Sequence, residues 1–342
     1  MPEAPPRPRE GVSEREKFVI ESQHYFHGTG DLEKARQAYE LWAQTYPRDW
    51  APTSNLGVIE WSFGQYDRAL AAFHEALRIE ANSAVPIGNL VRTYLSLNRL
   101  EEARTTVAEA QAKNLDSTYL CFLLYEIAFL KNDAAGMAQQ LTCTARKAGW
   151  EDMLLASKAD TAAHSGRLRS AHEFSRQAVA SAALEGQKET AAIYEADAAL
   201  REALFGNAPE ARQYAAAALA LSTGRDVRYA TALALASAGD AARAQALADE
   251  VAKLFPDDTI LQFNYLPTIR AQLALNRNDP SKAIEALLAA APYEFGAPGR
   301  SIQLREPVSG LCTRGSVSSK SPRQRSRSRV RENLGLAGRC AV

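Results

Sequence analysis

Residues 48–81, RDWAPTSNLGVIEWSFGQYDRALAAFHEALRIEA, contain one whole helical hairpin whose spacing the rest of the chain repeats. In the second half, Tyr66, Ala69, Leu70, Phe73, Ala76 and Leu77 recur at three- and four-residue steps, which places them on one stripe of a helix. Before them, Leu56, Gly57 and Trp61 mark a first helix that Gly64-Gln65 ends. Two helices bury too little to stand alone, so the unit requires a neighbour on each side.

The sequence supplies those neighbours at a regular interval. Counted from Ala69, the same slot recurs at Ala35 and Ala103, then at Met137 and Ala171, and more loosely at Ala211, Ala244 and Ala283. A turn-former stands five residues before each: Gly30, Gly64, Asn98, Asn132, Gly166, Gly206, Gly239 and Asn278. Eight hairpins are expected, with Met137 as the one bulky residue in the slot. Ser13 with Glu16 forms a capping box that opens the first helix, expected to end near Phe26 or His27 before a turn at Gly28–Gly30. The fourth hairpin is the weakest, because Thr142 and Thr144 disfavour its second helix. Extra chain around Leu184–Lys188 accounts for the longer step to Ala211, and Pro267 predicts a kink or a late start in the last hairpin.

Composition is compatible with one elongated array, since repeats grow in one dimension and length no longer counts domains. Residues 13–295 are read as a single all-α, right-handed solenoid, with no strand patterning and with Ala favoured over Val and Ile. Residues 1–12 are Pro-rich and are expected to be disordered. Net charge is zero, but residues 296–342 hold nine Arg and one Lys against two Glu, so this Ser/Arg-rich tail carries +8 and the rest −8. A mildly acidic body argues against a nucleic-acid-binding groove and leaves nucleic acid only the basic tail, itself expected to be disordered. Cys121, Cys143, Cys312 and Cys340 show neither pairing logic nor metal spacing, and read as free thiols in a reducing, cytoplasmic setting. No run approaches membrane-spanning length, and no signal-peptide pattern opens the chain.

At Leu56, Gly57, Gly64, Tyr66, Ala69, Phe73 and Ala76 the sequence resembles a tetratricopeptide repeat, departing at Thr53, Glu60 and Ala81. Small residues at Gly57 and Ala69 are what closely crossing helices need. More narrowly, Val12–Glu21, Gly30–Pro47, Ala196–Gly206 and Gln262–Pro267 resemble the repeat region that follows the kinase domain in acidobacterial eukaryotic-like serine/threonine kinases. The resemblance carries no activity, because the chain has no Gly-rich ATP loop, His-Arg-Asp loop or Asp-Phe-Gly motif. Gly28-Thr29-Gly30 reads as a turn, not a phosphate loop.

No catalytic constellation, cofactor motif or metal set stands out; His24 and His27 share a helix face but have no further ligand in register. The resemblance implies a groove lined by the first helix of each hairpin, binding a protein or peptide without catalysis. Its expected lining is His24 and His27, Trp61, Arg92, then Tyr119, Phe122, Glu126 and Phe129, and finally Asp160, Tyr229 and Gln272. Each aromatic reads equally well as packing between hairpins. Ile20 and His24 replace the first Lys and Asn of the clamp used by chaperone-binding relatives, so a chaperone carboxyl-terminal peptide is not expected. The kinase resemblance implies a second function, a detached sensor or regulatory region of a bacterial signalling kinase.

In the kinase relatives an Ala-Pro-Tyr-Glu stretch, here Ala291–Glu294, continues into further hairpins through a run such as Leu-Tyr-Pro-Val-Tyr-Val-Arg-Gly. Codons for Pro307–Gly315, shifted by one base, can spell such a run, which predicts a frameshift near residues 296–306. Genomic sequencing across the junction is expected to reveal an alternative frame that restores helical repeats; no such frame rejects the idea.

Overall fold

The computed structural model describes residues 13–115, 118–144 and 150–296. The expectations for residues 1–12 and for the basic tail beyond Gly296 lie outside the described residues. Within them the fold is all-α, a series of helical hairpins with no strand. The pairs are α1 (Glu14–Gln23) with α2 (Leu32–Thr45), α3 (Trp50–Ser62) with α4 (Tyr66–Ile79), α5 (Ala84–Ser96) with α6 (Leu100–Ala112), and α7 (Thr118–Leu130) with α8 (Ala134–Thr144). Then follow α9 (Glu151–His164) with α10 (Leu168–Leu184), α11 (Lys188–Leu204) with α12 (Ala208–Leu221), α13 (Arg225–Ser237) with α14 (Ala241–Leu254), and α15 (Leu266–Asn276) with α16 (Pro280–Ala290). The helices group into two compact units, one of residues 13–154 with 257–260 and 295–296, the other of residues 155–256 and 261–294.

The turn-formers act through backbone conformation. All eight have left-handed φ, from 55° at Asn132 to 82° at Gly206, the region that Gly adopts freely and Asn tolerates best among side-chain-bearing residues. In seven hairpins the residue after the turn-former donates its N–H to a carbonyl five positions back, as Gln65 does to Glu60 at 2.8 Å and Asp240 to Leu235 at 2.8 Å. This closing bond satisfies a carbonyl the helix end would otherwise leave bare. The first hairpin differs from expectation: the chain stays helical past His27, as a wide π-helical stretch at His24–Thr29, and Asp31 N donates to the Thr29 hydroxyl at 3.3 Å. The capping box is present, with Ser13 N donating to Glu16 Oε2 at 2.9 Å and the Ser13 hydroxyl accepting from Glu16 N at 3.3 Å.

The small slot is where hairpin helices meet. Ala35, Ala69, Ala103, Ala171, Ala211, Ala244 and Ala283 are all fully buried. Gly57 answers Ala69's helix from the other side: a Cβ placed there would lie 2.5 Å from the Phe73 ring. Met137 breaks the series. It is half-buried, and none of residues 134–143 in α8 is fully buried, whereas every other second helix carries a buried Ala.

Irregular steps in the repeat have local causes. α10 and α11 each run 17 residues, which takes up the extra chain before Ala211. In the last hairpin residues 259–260 are already helical and a π-helical stretch, Leu261–Tyr265, leads into α15, so Pro267, which has no N–H to give, lies within a helical run just after its wide turn. The first unit's core is built from large side chains, among them Phe73, Leu90, Val91, Leu120, Leu123 and Ile127. In the second, several clusters consist almost wholly of Ala, such as Ala192, Ala196 and Ala218 around Val227.

The cysteine reading is corrected. Cys121 and Cys143 are joined in a disulfide, because antiparallel pairing of α7 and α8 brings positions 22 apart in sequence to a Cα separation of 6.3 Å. By chain entropy a loop of that size contributes about 3 kcal/mol. Cys312 and Cys340 lie outside the described residues.

If the crossing admits only small groups, Ala69→Leu and Gly57→Val should each lower stability by about 1–3 kcal/mol, as overpacked cores do. Ala71→Leu, on the exposed face of the same helix, should stay within about 0.5 kcal/mol. Urea midpoints followed by ellipticity distinguish the two classes; equal midpoints for Ala69→Leu and Ala71→Leu would contradict the packing account.

Candidate functional site

In the first unit, the first helices of three successive hairpins bring Trp61, Arg92, Tyr119 and Glu126 together. Trp61 lies in the last turn of α3, and its indole Nε1 donates to Ser96 Oγ on α5 at 3.3 Å. Only 8% of the residue remains exposed. The Arg92 guanidinium sits over that indole, 5.7 Å from the ring centroid, within the range where a cation and an aromatic face attract. Its Nη1 is 3.6 Å from Glu126 Oε2 on α7, a loose ion pair whose side chains are 14% and 32% exposed. Such a pair attracts without the short contact of a strong charge-assisted hydrogen bond.

Tyr119 lies beneath this pair. Its ring rests on the α5 backbone at Gly88, where a Cβ would come within 2.7 Å of the ring, and it faces Trp150 at 6.2 Å. The phenol oxygen is buried and makes no well-formed hydrogen bond among the described residues. Burial pushes its pKa up, the Arg92 cation pulls it down, and the Glu126 carboxylate adds a smaller upward push. Phe122 is 3% exposed and belongs to the interior, whereas Phe129 is half-buried. His24 and His27 lie one hairpin before Trp61, in the π-helical stretch. The His24 Nε2 is buried and takes no hydrogen bond from the protein.

In the second unit the expected residues are engaged with their own neighbours. Asp160 accepts from Arg201 Nη2 at 2.7 Å, and Arg201, 5% exposed, also donates through Nη1 to Ser175 Oγ at 2.8 Å. Tyr229 stacks on Tyr265 with centroids 3.6 Å apart and planes 5° from parallel. Burial drives its phenol pKa far up, with Asp226 and Asp197 adding to the shift. Gln272 Nε2 donates to Asn276 Oδ1 at 3.0 Å, and Asn276 Nδ2 in turn donates to Ala236 O at 2.6 Å.

A buried polar group in this unit escaped the sequence reading. Glu202 is fully buried and is held by His172 Nε2 at 2.6 Å and Asn207 Nδ2 at 2.7 Å. The ring nitrogen facing a carboxylate is the donor here. A signal was present: α11 carries Ala191, Ala192, Ala196, Ala198, Ala199 and Ala203, apolar on nearly every side, so a charged Arg201-Glu202 pair within it has to find buried partners.

Among the described residues no helix is long and apolar enough to cross a membrane. A family profile described as tetratricopeptide repeat matches residues 61–120. No curated protein matches the chain by sequence. Among solved structures, a tetratricopeptide repeat protein from Parabacteroides merdae is similar at 15% identity and a TM-score of 0.38, over 82% of this chain and 93% of that one. The Cut9-Hcn1 hetero-tetramer of APC/C is similar at 14% identity and a TM-score of 0.45, over 86% of this chain and 56% of that one. The P58(IPK) TPR domain is similar at 12% identity and a TM-score of 0.26, over 95% and 99%. The match to the tetratricopeptide repeat profile is confined to residues 61–120, from Trp61 to the start of α7, within a chain whose described residues form helical hairpins.

Proposed function

We propose that the chain is a non-catalytic scaffold that binds a protein or peptide partner on the face formed by α3, α5 and α7. One observation supports this reading above the others: Trp61, Arg92, Tyr119 and Glu126, drawn from three hairpins, converge on one patch. Aromatic and Arg side chains held in place by their neighbours are the composition from which binding hot spots are built. Tetratricopeptide repeats generally serve protein–protein interaction, and the matched segment spans most of this patch.

A second reading, a regulatory region of a bacterial serine/threonine kinase, is supported only by the resemblance at Val12–Glu21, Gly30–Pro47, Ala196–Gly206 and Gln262–Pro267. Under it the partner is an enzyme encoded with or near this chain. Reading the gene upstream tests it, since a kinase frame is expected there and its absence removes this reading.

The scaffold reading is tested by affinity capture with the full chain, beside Arg92→Ala and Glu126→Gln, which keep the buried indole in place. Proteins recovered with the parent should bind Arg92→Ala at least tenfold more weakly, while ellipticity and urea midpoint stay close to the parent's. Equal recovery of every partner by both variants would remove the assignment of this face.

A further inference from the structure

The second helices of seven hairpins are anchored by an Ala that is fully buried. α8 is the exception, because Met137 occupies the slot half-buried and no residue from 134 to 143 is fully buried. Its first turn is tied down by Asp133, whose Oδ1 accepts from Gly136 N at 2.8 Å. At the other end its attachment is covalent, through Cys143 to Cys121. The helix beneath does not share this weakness: α7 buries Leu120, Phe122, Leu123, Tyr125 and Ile127 on several sides.

From this contrast we infer that Cys121–Cys143 is a reducible latch that sets whether α8 is docked on α7. The two sulfurs differ in access, since Cys121 is 5% exposed while Cys143 is half-buried. A dithiol reductant therefore attacks the Cys143 sulfur as a thiolate, forming a mixed disulfide and expelling Cys121 as a thiolate, which takes up a proton. The reductant's second thiolate then attacks its own sulfur in the mixed disulfide and releases Cys143, also to be protonated. Two electrons and two protons pass to the protein, and the reductant leaves as its cyclic disulfide. Without the bond, α8 keeps the Asp133 cap and its half-buried contacts, but has no fully buried side chain among residues 134–143 to help hold a helix of 11 residues against its conformational entropy. Its release uncovers apolar surface on α7, the helix that carries Tyr119 and Glu126. The inference rests on packing and stands whether or not that face binds a partner.

The test is amide hydrogen exchange of the full chain, read by mass spectrometry on peptides within 134–143 and within α5 and α6, before and after dithiothreitol. Cys143→Ser without reductant supplies the open state by a second route, and adding dithiothreitol to it controls for Cys312 and Cys340. Expected are resistance of Cys121 and Cys143 to N-ethylmaleimide before reduction, and exchange at least tenfold faster in 134–143 in both open forms. α5 and α6 should be unchanged. Unaltered exchange in 134–143, equal loss of protection across α5 and α6, or alkylation of both cysteines without reductant would each overturn the latch.

Discussion

The distance at which two paired helices can cross is the constraint on which this structure depends. Ala69 and its equivalents occupy that crossing with no exposed surface, and Gly57 leaves no room for even a methyl beside the Phe73 ring. Close approach is what lets short helices of 13 or 14 residues bury enough of themselves to persist, since helices of that length are marginal in isolation. The left-handed turn residue five positions earlier recurs in every hairpin, with φ between 55° and 82°, and reverses the chain just ahead of the crossing.

Other interactions supplement this close packing, and they differ between the two units. In the fourth hairpin Met137 fills the slot half-buried, and a covalent bond between α7 and α8 adds to the packing. In the second unit the long helices α10 and α11 meet through Ala, with little apolar volume to fill the centre. A network of Arg201, Asp160 and Ser175, and another of Glu202, His172 and Asn207, occupies part of the interior instead. Buried charges of this kind add little net stability over apolar packing, but each member is costly to lose alone because its partners are then left without compensation.

Most of the fold was legible in the sequence, since it rests on local signals. The eight turn-formers, seven buried alanines and the Ser13 capping box are each set within a few residues of chain, whereas the late start weighed at Pro267 is not seen, because the helix begins at residue 259 and widens into a π-helical stretch ahead of the proline. The disulfide was not, because only the pairing of α7 with α8 brings Cys121 near Cys143, and spacing alone does not show it. The expected cytoplasmic setting loses its cysteine argument with that finding. The π-helical stretch at His24–Thr29 was missed because Gly28 and Gly30 together read as an ordinary turn. At the candidate site, the resemblance to the tetratricopeptide repeat placed Trp61, Arg92, Tyr119 and Glu126 on the first helices of their hairpins. Their mutual arrangement was not, nor was the burial of Phe122, since both depend on how neighbouring hairpins pack.

The closing bond at seven of the turns bears on how the chain acquires its structure. Gln65 to Glu60, Arg99 to Tyr94 and Asp133 to Ala128 span five residues apiece, so each can form before any distant part of the polypeptide has arrived. Nucleation is then available at several places along the chain, and growth proceeds by adding adjoining hairpins, the behaviour of a one-dimensional lattice with nearest-neighbour coupling.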